Sequence, residues 1–270
     1  MPSQSFIATK EHRRFAEFAD AVRRQHTIGI CFGQAGIGKT LSARRYANWA
    51  KAEDLLDRWG PRADTDAQVH AGLARRRTVF YTPGVLTTPR LIKDELGLLT
   101  QRTSICIDEH LVTTGARSGP IHDRKGNVEL IIVDESERLS ATALELLRDR
   151  YDRNNIALIL IGMPGIEKQL SRYPQLYSRV GFAHEYRPLG KEELNFVLQR
   201  RWQKLGHALD PEDFTDAQAI AAIARITRGN FRLVDRLFTQ IERIMKINEL
   251  GTITDDVVEA ARSTLVIGIS

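Results

Sequence analysis

The stretch Gly33-Gln34-Ala35-Gly36-Ile37-Gly38-Lys39-Thr40 places four residues between Gly33 and Gly38 and follows the second glycine at once with Lys and Thr. That is the spacing of a phosphate-binding loop. Glycines let the chain bend so that successive backbone N–H groups converge on an anion, and a helix opening at Gly38 adds the positive end of its dipole. In such a loop Lys39 reaches the outer phosphates as a point charge, while the Thr40 hydroxyl holds the magnesium ion that bridges them. ATP and Mg are therefore the expected cofactors. Gly33, Gln34, Ala35, Gly36, Ile37, Gly38, Lys39, Thr40 and Leu41 are the residues expected around the nucleotide.

The flanks have the order that such a loop requires. Residues 27–32 form a short apolar run that reads as a buried strand, and Leu41, Tyr46, Ala47 and Ala50 give the next segment a helical face. A second run, Glu129-Leu130-Ile131-Ile132-Val133-Asp134-Glu135, is continuously apolar and closes on two acids. A central parallel strand has this form when its C-terminal end meets a ligand, and the run reads as a Walker B element. Asp134 is expected to bind magnesium, and Glu135 to polarise the water that attacks the γ-phosphate. Adjacent acids on a strand point opposite ways, so one is expected to line the sheet face while the other reaches forward.

With 270 residues and 42% hydrophobic content the chain can bury one good core and carry a second, smaller domain. No apolar run approaches the ~20 residues that span a bilayer, and the N-terminus lacks a signal-peptide core, so no membrane partner and a cytoplasmic location are expected. Cys31 and Cys106 sit inside apolar segments and read as small core residues. Asp108, His110 and His122 lack tight ligand spacing and are not read as a metal site. The formal charge of +5 and pI near 9.3 suggest affinity for a polyanion. Arg75-Arg76-Arg77 is a basic run, and Arg102, Arg117, Arg124 and Lys125 fall in a stretch with few apolar residues.

Phe15, Phe18, Ala19 and Val22 share one helical face over residues 10–24, with Thr9 as the expected N-cap. Residues 51–77 show no clear period at their centre and read as mobile. Residues 78–81 read as a second strand and 89–99 as a helix with Pro near its first turn. Residues 100–127 are read mostly as loop, with 105–107 a strand or buried turn. Ser140 caps the helix after Walker B, residues 156–161 form another apolar strand, and a polar strand runs on into Pro188. Beyond Gly190 the period is helical throughout, over 192–204, 216–227, 231–249 and 255–264, with Thr254 capping the last helix. The expected fold is α/β, a parallel central sheet flanked by helices over residues 1–189, followed by a small all-α domain over 190–270.

A phosphate loop, a strand ending Asp-Glu, a further strand and a helical lid make the chain resemble AAA+ P-loop ATPases from about residue 5 to its end. The resemblance implies an arginine finger at Ser178-Arg179-Val180, reaching a neighbouring subunit's nucleotide, with Arg172 as its rival. It also implies a second sensor at Gly229-Asn230-Phe231-Arg232, in which Arg232 touches the γ-phosphate. A guanidinium suits both roles because its planar fork binds phosphate oxygens and is always charged. Within AAA+ the run Leu158-Ile159-Leu160-Ile161-Gly162-Met163-Pro164-Gly165, with Gln169-Leu170-Ser171-Arg172 after it, resembles the TnsC/TniB and MuB group of DNA transposition regulators. The polar first-sensor residue usual at the end of that strand is replaced by Gly162 and Met163, which implies slow or differently triggered hydrolysis.

The resemblance implies an ATPase that uses ATP hydrolysis to ADP and phosphate as an assembly switch. It would join with itself on duplex DNA as a ring or helical filament of about six or more subunits per turn, and recruit or stimulate a transposase. In such a ring Arg102, Arg117, Arg124 and Lys125 would face the central channel and grip DNA phosphates. A helicase, clamp loader or secretion-associated ATPase shares the architecture. A small-molecule kinase also has a phosphate loop, but it requires neither the acid pair nor the helical lid.

Overall fold

The computed structural model describes residues 6–117 and 126–265. Contacts divide the chain into two compact units that do not follow a single cut in the sequence. The larger holds Arg14–Gly33 and Lys39–Tyr186, and the smaller holds Met1–Arg13, Gln34–Gly38 and Arg187–Ser270.

The larger unit is built on a five-stranded, wholly parallel sheet in the order β2-β3-β4-β1-β5. The strands are β1 (Ile28–Phe32), β2 (Thr78–Tyr81), β3 (Leu130–Val133), β4 (Ala157–Gly162) and β5 (Val180–Glu185). Every residue of β2, β3 and β4 is buried, as expected of strands covered on both faces. Helix α1 (Lys10–Gln25) starts where the Thr9 hydroxyl accepts from the His12 N–H at 3.1 Å, and Phe15, Ala19 and Val22 are fully buried. Gly29 on β1 is needed here, since a Cβ would lie 2.6 Å from Val22 Cγ2 and 2.8 Å from the Phe18 ring.

After the phosphate loop the chain forms α2 (Lys39–Tyr46) and then, past the left-handed Asn48, α3 (Trp49–Arg58). The break changes the face expected there. Ser42, Ala43 and Tyr46 are buried, Leu41 is half exposed, and Ala50 belongs to the second helix, on its exposed side. Residues 51–77, read as mobile, are instead ordered as the rest of α3 and as α4 (Asp66–Arg76). Trp49, Ala52, Leu55 and Leu56 bury one side of α3, and the Arg62 guanidinium forks onto Glu109 while lying 4.2 Å over the Trp59 ring.

Residues 100–113 also depart from the loop expected of them, because α5 runs unbroken from Pro89 to Thr113. Its buried residues are Ile92, Leu96, Thr103, Ser104, Cys106, Ile107 and Asp108, so a threonine, a serine and an aspartate carry part of the helical period and hide it from a hydrophobicity count. Cys31 and Cys106 are both buried and neither forms a disulfide, and burial pushes the Cys106 thiol up to about 11. A single 3-10 turn (Ser136–Arg138) leads to α6 (Ala141–Asn154), capped by the Ser140 hydroxyl, and two short helices, α7 (Ile166–Leu170) and α8 (Pro174–Tyr177), precede β5. No helix among the described residues is long and apolar enough to cross a membrane.

The smaller unit contains α9 (Lys191–Lys204), α10 (Phe214–Thr227), α11 (Phe231–Ile247) and α12 (Asp255–Ser263). Trp202, Leu237, Ile241 and Val258 lie in its core, and the indole N–H of Trp202 donates to the buried Asp216 carboxylate at 3.3 Å. The turn into α11 is tightly fixed. Gly229 has φ +74°, its carbonyl accepts from the Leu189 N–H at 2.9 Å, and an added Cβ would lie 2.2 Å from the Leu189 carbonyl oxygen. Both the left-handed backbone and the contact with main chain forbid a side chain here. Gly229→Ala is therefore expected to destabilise the helical unit by roughly 2 kcal/mol or more, read as a lower unfolding midpoint in a thermal or denaturant melt.

Candidate nucleotide site

The larger unit brings together the ends of the expected Walker elements. Because β1 and β3 run parallel with β4 between them, their C-terminal ends lie on one edge of the sheet. There the Thr40 hydroxyl donates to Asp134 Oδ2 at 2.6 Å, across 94 residues of chain. Asp134 Oδ1 accepts from the Glu135 N–H at 2.9 Å, and the carboxylate is almost completely buried. The Lys39 ammonium folds back onto the Gly33 carbonyl. A hydroxyl and a buried carboxylate already in contact are the oxygen donors that magnesium favours, so Thr40 and Asp134 fit the ion. When bound there, magnesium neutralises charge on the outer phosphates.

Strand β3 ends at Val133, so both acids lie beyond it and the turn, rather than strand alternation, sets their directions. Glu135 has φ 49°, an uncommon left-handed conformation for a glutamate, and its carboxylate pairs with Arg138. Arg138 also donates to the Pro83 carbonyl at 3.0 Å, just past β2.

The middle of the phosphate loop, Gln34–Gly38, packs within the smaller unit. Gly36 and Gly38 have φ of 79° and 112°, values that a side chain would strain. The Asn230 side-chain amide donates to the Ala35 carbonyl at 2.8 Å, and the Arg232 N–H donates to the Gly36 carbonyl at 2.8 Å. A Cβ on Gly36 would stand 2.7 Å from Asn230 Oδ1 and 3.0 Å from the Arg232 Cβ. Arg232 thus sits beside the loop, and its neighbour Asn230 caps α11 through a 3.2 Å bond from the Leu233 N–H. Sequence reading assigned Asn230 no contact of its own. An N-cap residue next to Arg232 was the available signal.

Arg179 is held by its own chain. Its guanidinium forks onto Asp152 at 2.6 and 2.9 Å and also reaches the Gln175 carbonyl. The same hydrogen bonds hold the Asp152 carboxyl below its usual range. Arg172 is exposed, and no hydrogen bond or ion pair engages its side chain among the described residues.

Of the basic residues expected on channel loops, one is in a helix and another is tied to a buried acid. Arg102 lies on α5, where it donates to the Leu56 carbonyl and stacks 5.2 Å from the Trp59 ring, so it fastens α5 to the end of α3. Arg117 pairs with Asp108, whose side chain is completely buried and also accepts from Asn127 Nδ2 at 2.8 Å. Arg102, in a helix, is a correction to the loop reading, whereas Arg117 lies in a bend beyond α5; each guanidinium satisfies acceptors that would otherwise lack partners. Arg124, Lys125 and His122 lie outside the described residues. Among the described residues no group of three or more His, Cys, Asp or Glu could hold a metal, and Asp108 serves the Arg117 pair. Arg117→Ala leaves a buried carboxylate uncompensated and is expected to cost about 3 kcal/mol of stability. Denaturant titration measures that cost, which a merely solvated arginine would not incur.

The AAA domain family model matches residues 22–170. A Staphylococcus aureus protein described as a potential ATP-binding protein is 48% identical over 271 residues, covering 99% of this chain and 98% of its own length. Among solved structures, the Thermotoga maritima RuvB Holliday junction branch migration motor aligns with a TM-score of 0.57 at 18% identity, over 94% of this chain and 68% of its own. The Aeropyrum pernix ORC2 protein aligns with a TM-score of 0.55 at 16% identity, over 98% of this chain and 69% of its own. With the family match spanning more than half of its residues and the Walker elements joined at the sheet edge, the chain belongs to the AAA domain family of P-loop ATPases.

Proposed function

We propose that this ATPase binds duplex DNA, assembles on it in an ATP-dependent way and regulates or recruits a transposase. The contact of Thr40 with Asp134, beside Lys39, carries the nucleotide half of this reading. In it, residues 33–41, Asp134 and Arg232 bind Mg–ATP, residues 1–189 form the nucleotide-binding domain and residues 190–270 the lid. Lys39 draws on the outer phosphates, and Glu135 acts on the attacking water. Support for DNA comes from the net charge of +5 and from the nature of two proteins of similar fold, a branch migration motor and an ORC protein. Support for transposition rests on the run 158–165 and the segment that follows it.

An arginine finger in trans supplies positive charge to the neighbour's γ-phosphate, whichever arginine provides it. Arg179 must exchange Asp152 for phosphate to do so, whereas no such bond holds Arg172 among the described residues. Lys39→Ala subunits cannot hold the nucleotide, and finger-less subunits cannot complete a neighbour's site. Mixing Lys39→Ala with Arg179→Ala chains is expected to restore part of the turnover that each lacks. Recovery with Arg172→Ala chains, and none with Arg179→Ala chains, transfers the role to Arg172.

For DNA, Arg124 and Lys125 are the contacts that this reading retains, with Arg75, exposed at the end of α4, the next in order. Each phosphate contact removed lowers the magnitude of the salt slope by about 1, irrespective of DNA sequence. A double change of Arg124 and Lys125 to Ala is expected to flatten the slope by about 2, measured with a non-hydrolysable ATP analogue on unrelated duplexes. Phosphate release stimulated by duplex DNA supports the reading as a whole, and transfer of phosphate to a metabolite instead of water sinks it.

A further inference from the structure

The end of β4 carries no polar side chain, yet a carboxylate lies against it. A Cβ built on Gly162 would stand 2.4 Å from Ile166 Cδ1 and 2.9 Å from Glu137 Oε2, so the isoleucine and the glutamate together occupy the space that a side chain at this position would fill. Register fixes what is nearby. Gly162 pairs with Phe32, the residue before Gly33. Val133 pairs with Leu160, so Gly162 is also level with Glu135 just beyond β3. Glu137 therefore stands at the edge between the strand that feeds the phosphate loop and the strand that ends in the Walker B acids.

The two glutamates are drawn to opposite sides of β3. Glu135 is paired with Arg138, which is bonded in turn to Pro83 beyond β2, and β2 is the neighbour of β3 on the side away from β4 and β1. Glu137 is turned toward β4, and no hydrogen bond or ion pair engages its carboxylate among the described residues. An ionised carboxylate without a partner can only accept, and at a phosphate site the available donor is water.

Resting on the assignment of this edge as the ATP site, we propose that Glu137 is a further catalytic residue, a second carboxylate that orients the attacking water from the β4 side, across β3 from Glu135, and takes up its proton. In that step the water oxygen bonds to the γ-phosphorus as the bond to the β,γ-bridging oxygen breaks. The electron pair leaves on ADP, and the proton held by Glu137 passes on to the departing phosphate. The role also accounts for the glycine. A first-sensor side chain at position 162 would meet Ile166 and displace the carboxylate that works there.

The test compares the parent chain with Glu137→Gln, which keeps the shape of this exposed side chain while removing its capacity to take a proton. Three quantities are read: kcat and KM for ATP, the Kd of a non-hydrolysable ATP analogue with magnesium, and the unfolding midpoint. Expected is a kcat lowered about 100-fold, the lower end for loss of a general base, with KM, analogue Kd and midpoint unchanged. Gly162→Ala is expected to lower kcat in the same direction with Glu137 still present, because the added carbon crowds both Ile166 and the carboxylate, and the unfolding midpoint separates the second effect from the first. A kcat for Glu137→Gln within about two-fold of the parent overturns the inference, as does a loss explained entirely by weaker analogue binding or by a lower midpoint. Turnover that persists in Lys39→Ala overturns the site itself, and the two failures are thereby distinct.

Discussion

One hydrogen bond summarises the constraint on the larger unit: Thr40, at the head of α2, donates to Asp134, at the end of β3, over the end of an intervening strand. It can form only if β1, β4 and β3 run parallel and finish level with one another. That in turn requires strands buried on both faces, which is why β3, and β4 up to its final glycine, are continuous runs of Leu, Ile, Val and Ala. The helices that cover them follow from the same need. Chemistry at the edge and hydrophobicity in the middle are therefore two aspects of one arrangement.

Much of this was legible in the residues. The phosphate loop, both Walker strands, the N-terminal helix and the helices of the smaller unit have strong periods or fixed spacings, and they lie where those patterns place them. The failures are equally physical. In α5 the buried residues include Thr103, Ser104 and Asp108, and in α3 and α4 a short helix pair is interrupted by a Gly-Pro step at Gly60-Pro61, so no long period accumulates. Where polar residues do the packing, a reading that counts apolar residues sees a loop.

The arginines teach a related lesson. Arg102 and Arg117 looked like surface charge because nothing local in the sequence reveals a partner, yet one meets a backbone carbonyl 46 residues away and the other a fully buried aspartate. Such partners become visible only with the tertiary fold. Charge on this chain thus serves two ends, cross-linking of helices and presentation to solvent, and composition alone cannot apportion it.

The grouping of Gln34–Gly38 with the helical unit has a consequence for how the chain can be divided. Asn230 and the backbone of Arg232 hold the carbonyls of Ala35 and Gly36 from almost 200 residues downstream. A gene fragment ending after the last strand would retain every residue of the Walker loop but lose the supports that shape it. The phosphate loop is, in this sense, joint property of both ends of the polypeptide. Recombination between relatives would have to exchange the loop and the start of α11 together to keep these bonds.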